Sequence, residues 1–240
     1  MKLLPLPRKS GFTLLETVIA IGVLAVLLTA FMYVFGPAMA GIRKSINVQE
    51  ADRLASTLER ELGTLRTGQQ TADIKTGFDK AFQWVKQSND PNNALFVYQY
   101  RGNPSKLRSD NSLEPVDRTG TGAIAGKDYI VQPMVRRLSD PLFVKDIAAV
   151  EGSVFVIKCT QLVFDKANGM IAGSAGEIRD PQEGTPVAAP DDFKEAVVAF
   201  SAEFYSVPGN SEAFLMGESF KKRFRSTAKP IFTRNLAVRR

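Results

Sequence analysis

Residues 8–36 read RKSGFTLLETVIAIGVLAVLLTAFMYVFG. From Thr17 to Gly41 there is no charged residue, a run of 25. A helix needs roughly 20 apolar residues to cross a bilayer. Lys2, Arg8 and Lys9 precede the run, which fits a cytoplasmic N-terminus, although Arg43 and Lys44 on the far side weaken the bias. Phe31, Tyr33 and Phe35 cluster toward the far end, where aromatic rings suit an interface. Glu16 does not fit so simply. A carboxylate at hydrocarbon depth costs on the order of 2.5–3.5 kcal/mol.

Three readings compete for this segment. A plain signal anchor has no use for Glu16, beyond seating it at headgroup level. A cleaved secretory signal is suggested by Ala38-Met39-Ala40 followed by Gly41. Its apolar core would be about twice the usual 7–15 residues. The third reading gives the carboxylate a role of its own.

Gly11-Phe12-Thr13-Leu14-Leu15-Glu16 resembles the processing motif of type IV pilins and the pseudopilins of type II secretion. The resemblance implies a leader, residues 1–11, cut between Gly11 and Phe12 by a membrane-embedded prepilin peptidase. It also implies N-methylation of Phe12 and a filament-assembly role for Glu16, the fifth mature residue. In that family the Glu neutralises the new amino group of a neighbouring subunit. Amine and carboxylate attract strongly where water is scarce, and either alone is costly there. Such a pair pins the register of the packed helices. The motif covers roughly the first 35 residues.

Residues 12–36 therefore read as a transmembrane and filament-core helix. Gly36-Pro37 predicts a kink or a break, since proline removes a donor and clashes one turn back. Residues 37–66 read as an amphipathic helix with the stripe Met39, Ile42, Ile46, Leu54, Leu58, Leu62 and Leu65. Unbroken from Phe12 to Arg66, the helix would run about 80 Å. Residues 67–240 read as a β-rich head. Residues 72–87 predict a short amphipathic helix with Ile74, Phe78, Phe82 and Val85 aligned. Strand-like runs follow at Ala94–Tyr100, Tyr129–Val135, Ser153–Phe164, Ala196–Tyr205 and Arg223–Arg234. Pro230 demotes part of the last to an edge or bulge. Residues 101–127 and 165–194 read as long surface loops. A long helix followed by an antiparallel sheet is α+β, which is also the form of the pilin fold.

The 240 residues carry a net charge of +6, 44% hydrophobic residues, no His and one Cys. His-based nucleophile systems and His or multi-Cys zinc sites are thereby excluded. Cys159 has no partner for an intrachain disulfide and reads as an inert strand residue. Gly120-Thr121-Gly122 through Gly126 has its third glycine one place late for a dinucleotide loop and reads as a turn. Asp90, Asn92 and Asn93, or Asp165 and Asn168, offer oxygens to calcium, but turn chemistry explains both sets. No catalytic residue, cofactor or metal is expected.

The last twenty residues hold eight basic residues and no acidic one. Lys221, Lys222, Arg223 and Arg225 form a basic surface, interleaved with Phe220, Phe224 and Phe232. A solvated amphipathic strand, a contact with an acidic neighbouring subunit, and nucleic acid are the readings, in falling order. The ending FRSTAKPIFTRNLAVRR also resembles the pilin-like members of the Verru_Chthon cassette families. The expected protein is a minor pilin or pseudopilin, a non-enzymatic subunit. It would be anchored in the inner membrane by a single span with its head outside the cytoplasm. Its partners would be prepilin peptidase and other pilin subunits, in a type IV pilus-like or type II secretion filament. The large head and the missing C-terminal disulfide favour a minor subunit over a bulk one. The alternative is an anchored or secreted binding protein for polysaccharide or DNA.

Overall fold

The computed structural model describes residues 13–116, 123–165, 167, 169–209, 211–226 and 229–240. Helix α1 spans Leu14–Gly63 and runs unbroken through Pro37. Of the kink or break expected at Gly36-Pro37, the break does not occur. The chain divides into two compact units, one ending at Ile46 and one running from Asn47 to Arg240.

In the first unit the apolar side chains have nothing to pack on. Leu14 is 84% exposed, Leu27 61% and Tyr33 83%. Met39, Ile42 and Ile46, read as the start of a core stripe, are about half exposed as well. Only from Ala51 onward does the stripe enter a core, through Leu54, Ala55, Leu58 and Leu62.

The second unit is a seven-stranded antiparallel sheet with helices against both faces. Its strands are β1 (Leu95–Leu107), β2 (Leu113–Pro115), β3 (Ile130–Arg137), β4 (Val150–Asp165), β5 (Gly169–Ala172), β6 (Val197–Ser206) and β7 (Phe232–Arg239). The order is β2-β1-β4-β6-β7, with β3 also on β1 and β5 also on β4. The helices are α2 (Gly77–Gln87), α3 (Pro141–Ile147), α4 (Glu212–Leu215) and α5 (Glu218–Arg225). β1 sits between β3 and β4, so Leu95 to Tyr100 is buried on both faces. That is why its sequence, LFVYQY, is apolar or aromatic at every position but Gln99 rather than alternating. Leu95 and Val97 join the core under α1 and α2. Phe96, Tyr98 and Tyr100 join a second core under α3 and α5. Leu58 lies fully buried in the first core. Leu58→Ala should lower unfolding stability by about 2–5 kcal/mol, the usual range for such a truncation, read as a lower urea midpoint.

Local sequence signals set several boundaries. Thr76 accepts from the Asp79 backbone at 3.1 Å, and the Asp79 carboxylate accepts from the Thr76 backbone at 2.9 Å. This reciprocal cap starts α2 at Gly77, later than residue 72. Gly152, at φ +78°, lies where a Cβ would stand 2.6 Å from the Glu50 Oε1. Glu50 accepts there from the Ser153 backbone N–H at 3.2 Å, tying α1 to β4. Pro133 in β3 fits an edge strand, since its missing N–H costs no ladder bond on the open side.

Both expected loops carry structure. Within 101–127, β1 continues to Leu107 and turns back into β2. Within 165–194, β5 pairs the end of β4, and Ile178 and Val187 enter the first core. Gln161 in β4 holds the Arg179 backbone through both its amide atoms, at 2.7 Å each.

The C-terminal strand expected at Arg223–Arg234 is a correction. Residues 218–225 form α5, and the strand begins at Phe232. Phe220 and Phe224 are four apart, which aligns them on one face of a helix and equally on one face of a strand. The second core under Phe96 selects the helix, with ring centroids of Phe96 and Phe220 5.2 Å apart.

Beneath α3 lies a cluster of charges. Arg136, 1% exposed, donates to Asp146 at 2.7 Å, Asp140 at 2.9 Å and Asp110 at 2.8 Å. Asp146 also accepts from Tyr98 and from Arg108, both at 2.7 Å. Burial works against the Asp110 charge, but hydrogen bonds from Ser112 and Arg136 hold its pKa below the ordinary value. The three carboxylates come from a turn, a helix cap and a helix. One guanidinium thereby fixes all three segments.

Candidate functional site

The N-terminal site is built on the first turn of α1. Gly11 and Phe12 lie outside the described residues. Thr13 is the residue just before the helix. Its hydroxyl accepts from the Glu16 backbone N–H at 3.2 Å. The Glu16 carboxylate accepts from the Thr13 backbone N–H and hydroxyl, both at 2.9 Å. Thr13-Leu14-Leu15-Glu16 is therefore a capping box of the form T-x-x-E. The carboxylate also lies at the positive end of the helix dipole. The spacing was readable in the sequence, but the resemblance drew attention to Glu16's distant partner rather than to its near one. Glu16 thus has a local use in the single chain that a plain anchor could share.

The helix that follows is long and apolar enough to cross a membrane, with mean hydropathy 2.7 over its best window. No side chain of Leu14 to Ile46 is buried. The residues presented for helix-to-helix or helix-to-lipid packing are thus those of the motif and the run behind it. Residues 6–32 match the family profile described as the prokaryotic N-terminal methylation motif. This N-terminal segment is type IV pilin-like. No curated protein matches the chain, and no solved structure does. The motif implies processing by prepilin peptidase and assembly with other pilins. Among the described residues this is the single helix of membrane length, and with the motif it fits an inner-membrane-anchored pilin.

Elsewhere the β-rich head places the sequence candidates as follows. Lys221, Lys222, Arg223 and Arg225 all lie on α5. Lys221 pairs with Glu218 at 3.0 Å. Lys222, Arg223 and Arg225 are exposed and make no ion pair among the described residues. Three cations in the last turn also suit the negative end of that helix. Asp90 caps a short turn at Pro91–Asn93, accepting from the Asn92 backbone at 3.1 Å and the Asn93 amide at 2.7 Å. Asp165 accepts from the Ala167 backbone at 2.6 Å, and Asn168 lies outside the described residues. Among the described residues no group of three or more His, Cys, Asp or Glu is placed to hold a metal ion. The early glycines of the 120–126 stretch also lie outside them.

Cys159 is fully buried in β4, and its backbone N–H donates to the Ser88 hydroxyl at 2.8 Å. Burial pushes its thiol up from 9.0 to about 12. A thiol held neutral and enclosed is a poor nucleophile. The folded state keeps a proton there that the unfolded chain releases. The associated stability is complete below pH 9 and is lost as pH rises toward 12. Urea midpoints measured between pH 8 and 11 should therefore fall with pH, and fall less steeply in Cys159→Ala. Equal slopes in the two proteins would contradict the assignment.

Proposed function

We propose that the chain is a minor pilin or pseudopilin. Prepilin peptidase removes residues 1–11 and methylates Phe12. The mature subunit waits in the inner membrane, its head on the far side, and joins a type IV pilus-like or type II secretion filament. One observation carries this reading: the methylation motif, residues 6–32, runs into a helix whose first thirty-odd residues bury nothing within the chain. An apolar surface of that length needs lipid first and neighbouring helices afterward. Glu16 serves both conditions. In the single subunit it caps its own helix, and in the filament it meets the amine of an adjoining Phe12. The role is structural and not catalytic. The large head and the single Cys support a minor position. The exposed cations of α5 are offered as a contact surface for an acidic subunit. The Verru_Chthon likeness rests on the chain's ending alone.

Intact mass of the protein from its native cells tests the reading. A chain beginning at N-methyl-Phe12 is expected. A start at Gly41 means a secreted protein, and an unshortened chain means a plain anchor, with a binding function for the head in either case. Replacing Gly11 by a bulky residue should block the cut and leave the full-length mass. Efficient trimming of that variant would remove the assigned site.

A further inference from the structure

A cavity of about 140 Å³ lies between α5, the strands β4 and β6, and the segment that leads into β7. It stands where the two cores approach each other. Ile231 on one wall packs against the first core, and Val207 on another packs against the second. Backbone bonds fix both walls. The Val207 N–H donates to the Val154 carbonyl at 3.1 Å, and the Ile231 N–H to the Phe204 carbonyl at 2.9 Å. Phe220 and Phe224, projecting from α5, complete the apolar lining. Pro208 and Ser226 also line the cavity and are exposed, so it is reached from solvent. The volume is close to that of a dry cavity that admits one benzene ring, about 150 Å³.

The charge at the cavity is of one sign. Lys158, Arg223 and Lys229 line it, and among the described residues no Asp or Glu does. The Lys158 ammonium stands 4.6 Å from the Phe224 ring centre and 5.2 Å from that of Tyr205. It donates to the Phe224 carbonyl at 2.7 Å and makes no other hydrogen bond and no ion pair among the described residues. An ammonium carries three donors, so two are unused. Glu203 stands across from Lys158 on β6, but its carboxylate accepts from the Tyr205 hydroxyl at 2.6 Å and does not line the cavity. Burial works against the Lys158 charge and holds its pKa below the ordinary value, and Glu203 offsets this only in part. A half-buried cation with spare donors at an apolar wall lacks the anion that its burial calls for.

We propose that this cavity binds a small aromatic carboxylate, its ring among Val207, Phe220, Phe224 and Ile231 and its carboxylate on the Lys158 ammonium. The volume limits the apolar part to one ring. The aromatic walls favour a ring over an aliphatic chain, because offset and edge-to-face ring pairs add attraction beyond burial. The cations select an anion, and Arg223 and Lys229 raise its local concentration. Apolar walls with a few placed polar groups are the usual form of a small-molecule site, and fixed walls spare the ligand the cost of ordering them. The site lies in the head and does not depend on N-terminal processing, so the mass measurement above and the test below can fail separately.

The test is equilibrium dialysis of labelled benzoate against the full chain in detergent micelles, with uptake by empty micelles subtracted. Saturable binding is expected. Benzyl alcohol keeps the ring without the charge and acetate keeps the charge without the ring, and each should bind about tenfold or more weakly than benzoate. Lys158→Met retains the apolar stem and removes the ammonium. It should weaken benzoate about tenfold and leave benzyl alcohol unchanged, which also shows that the variant keeps its cavity. Val207→Trp should fill the cavity and abolish binding of both. No saturable uptake of benzoate, either reference probe bound as tightly as benzoate, or benzoate affinity unchanged by Lys158→Met or by Val207→Trp would overturn the proposal. The comparison of the three probes needs no variant, so it decides the matter even where a substitution disturbs the fold.

Discussion

Glu16→Ala is expected to leave cleavage after Gly11 largely intact while incorporation into filaments falls by about a hundredfold. The alanine removes two things at once. It deletes one half of the capping box with Thr13, worth about 1 kcal/mol. It also deletes the carboxylate that would meet an adjoining amine, and stranding one partner of a desolvated pair costs about 3–5 kcal/mol. Glu16→Gln separates the two. Glutamine can still reach back to the Thr13 backbone as a cap but carries no charge. Should charge pairing decide assembly, the Gln variant will fail nearly as badly as Ala. Should the cap decide it, Gln will assemble almost normally. Quantifying filament-bound against membrane-bound subunit in the two variants gives the answer. Normal assembly by both would leave Glu16 without either role.

Arg136→Met is expected to be the most damaging single change in the head, lowering stability by about 3–5 kcal/mol. Methionine fills much of the space. It leaves Asp110 and Asp140 without their guanidinium, and Asp146 with only Arg108 and Tyr98. The loss comes from uncompensated buried carboxylates rather than from a cavity. Asp110→Asn added to Arg136→Met should therefore recover part of the loss, whereas two independent defects would add. Chemical denaturation of the four proteins of this cycle measures the coupling. Simple additivity would show that Asp110 and Arg136 do not act together.

What could be read from residues alone was whatever depends on neighbours in the chain. The membrane-length run, the basic leader, the processing motif and the T-x-x-E spacing are local, and so is the alternation that marks β4 and β6. These sufficed for an α+β chain with a pilin-like N-terminus. The capping box was as local as the rest, yet Glu16's apparent misplacement in an apolar run concealed it. Tertiary structure alone decided features in which the pattern fits two answers. Phe220 and Phe224 satisfy a helix and a strand equally, and the core under Phe96 chose the helix. The stripe from Met39 to Leu65 looks uniform, but only its residues from 51 on meet a sheet. Arg136 and its carboxylates are scattered over 37 positions, from 110 to 146, and only folding brings them within 3 Å. Hydrophobic periodicity states which side of an element avoids water. It does not state what lies against that side, because burial is a property of two surfaces and the sequence of each element describes only one.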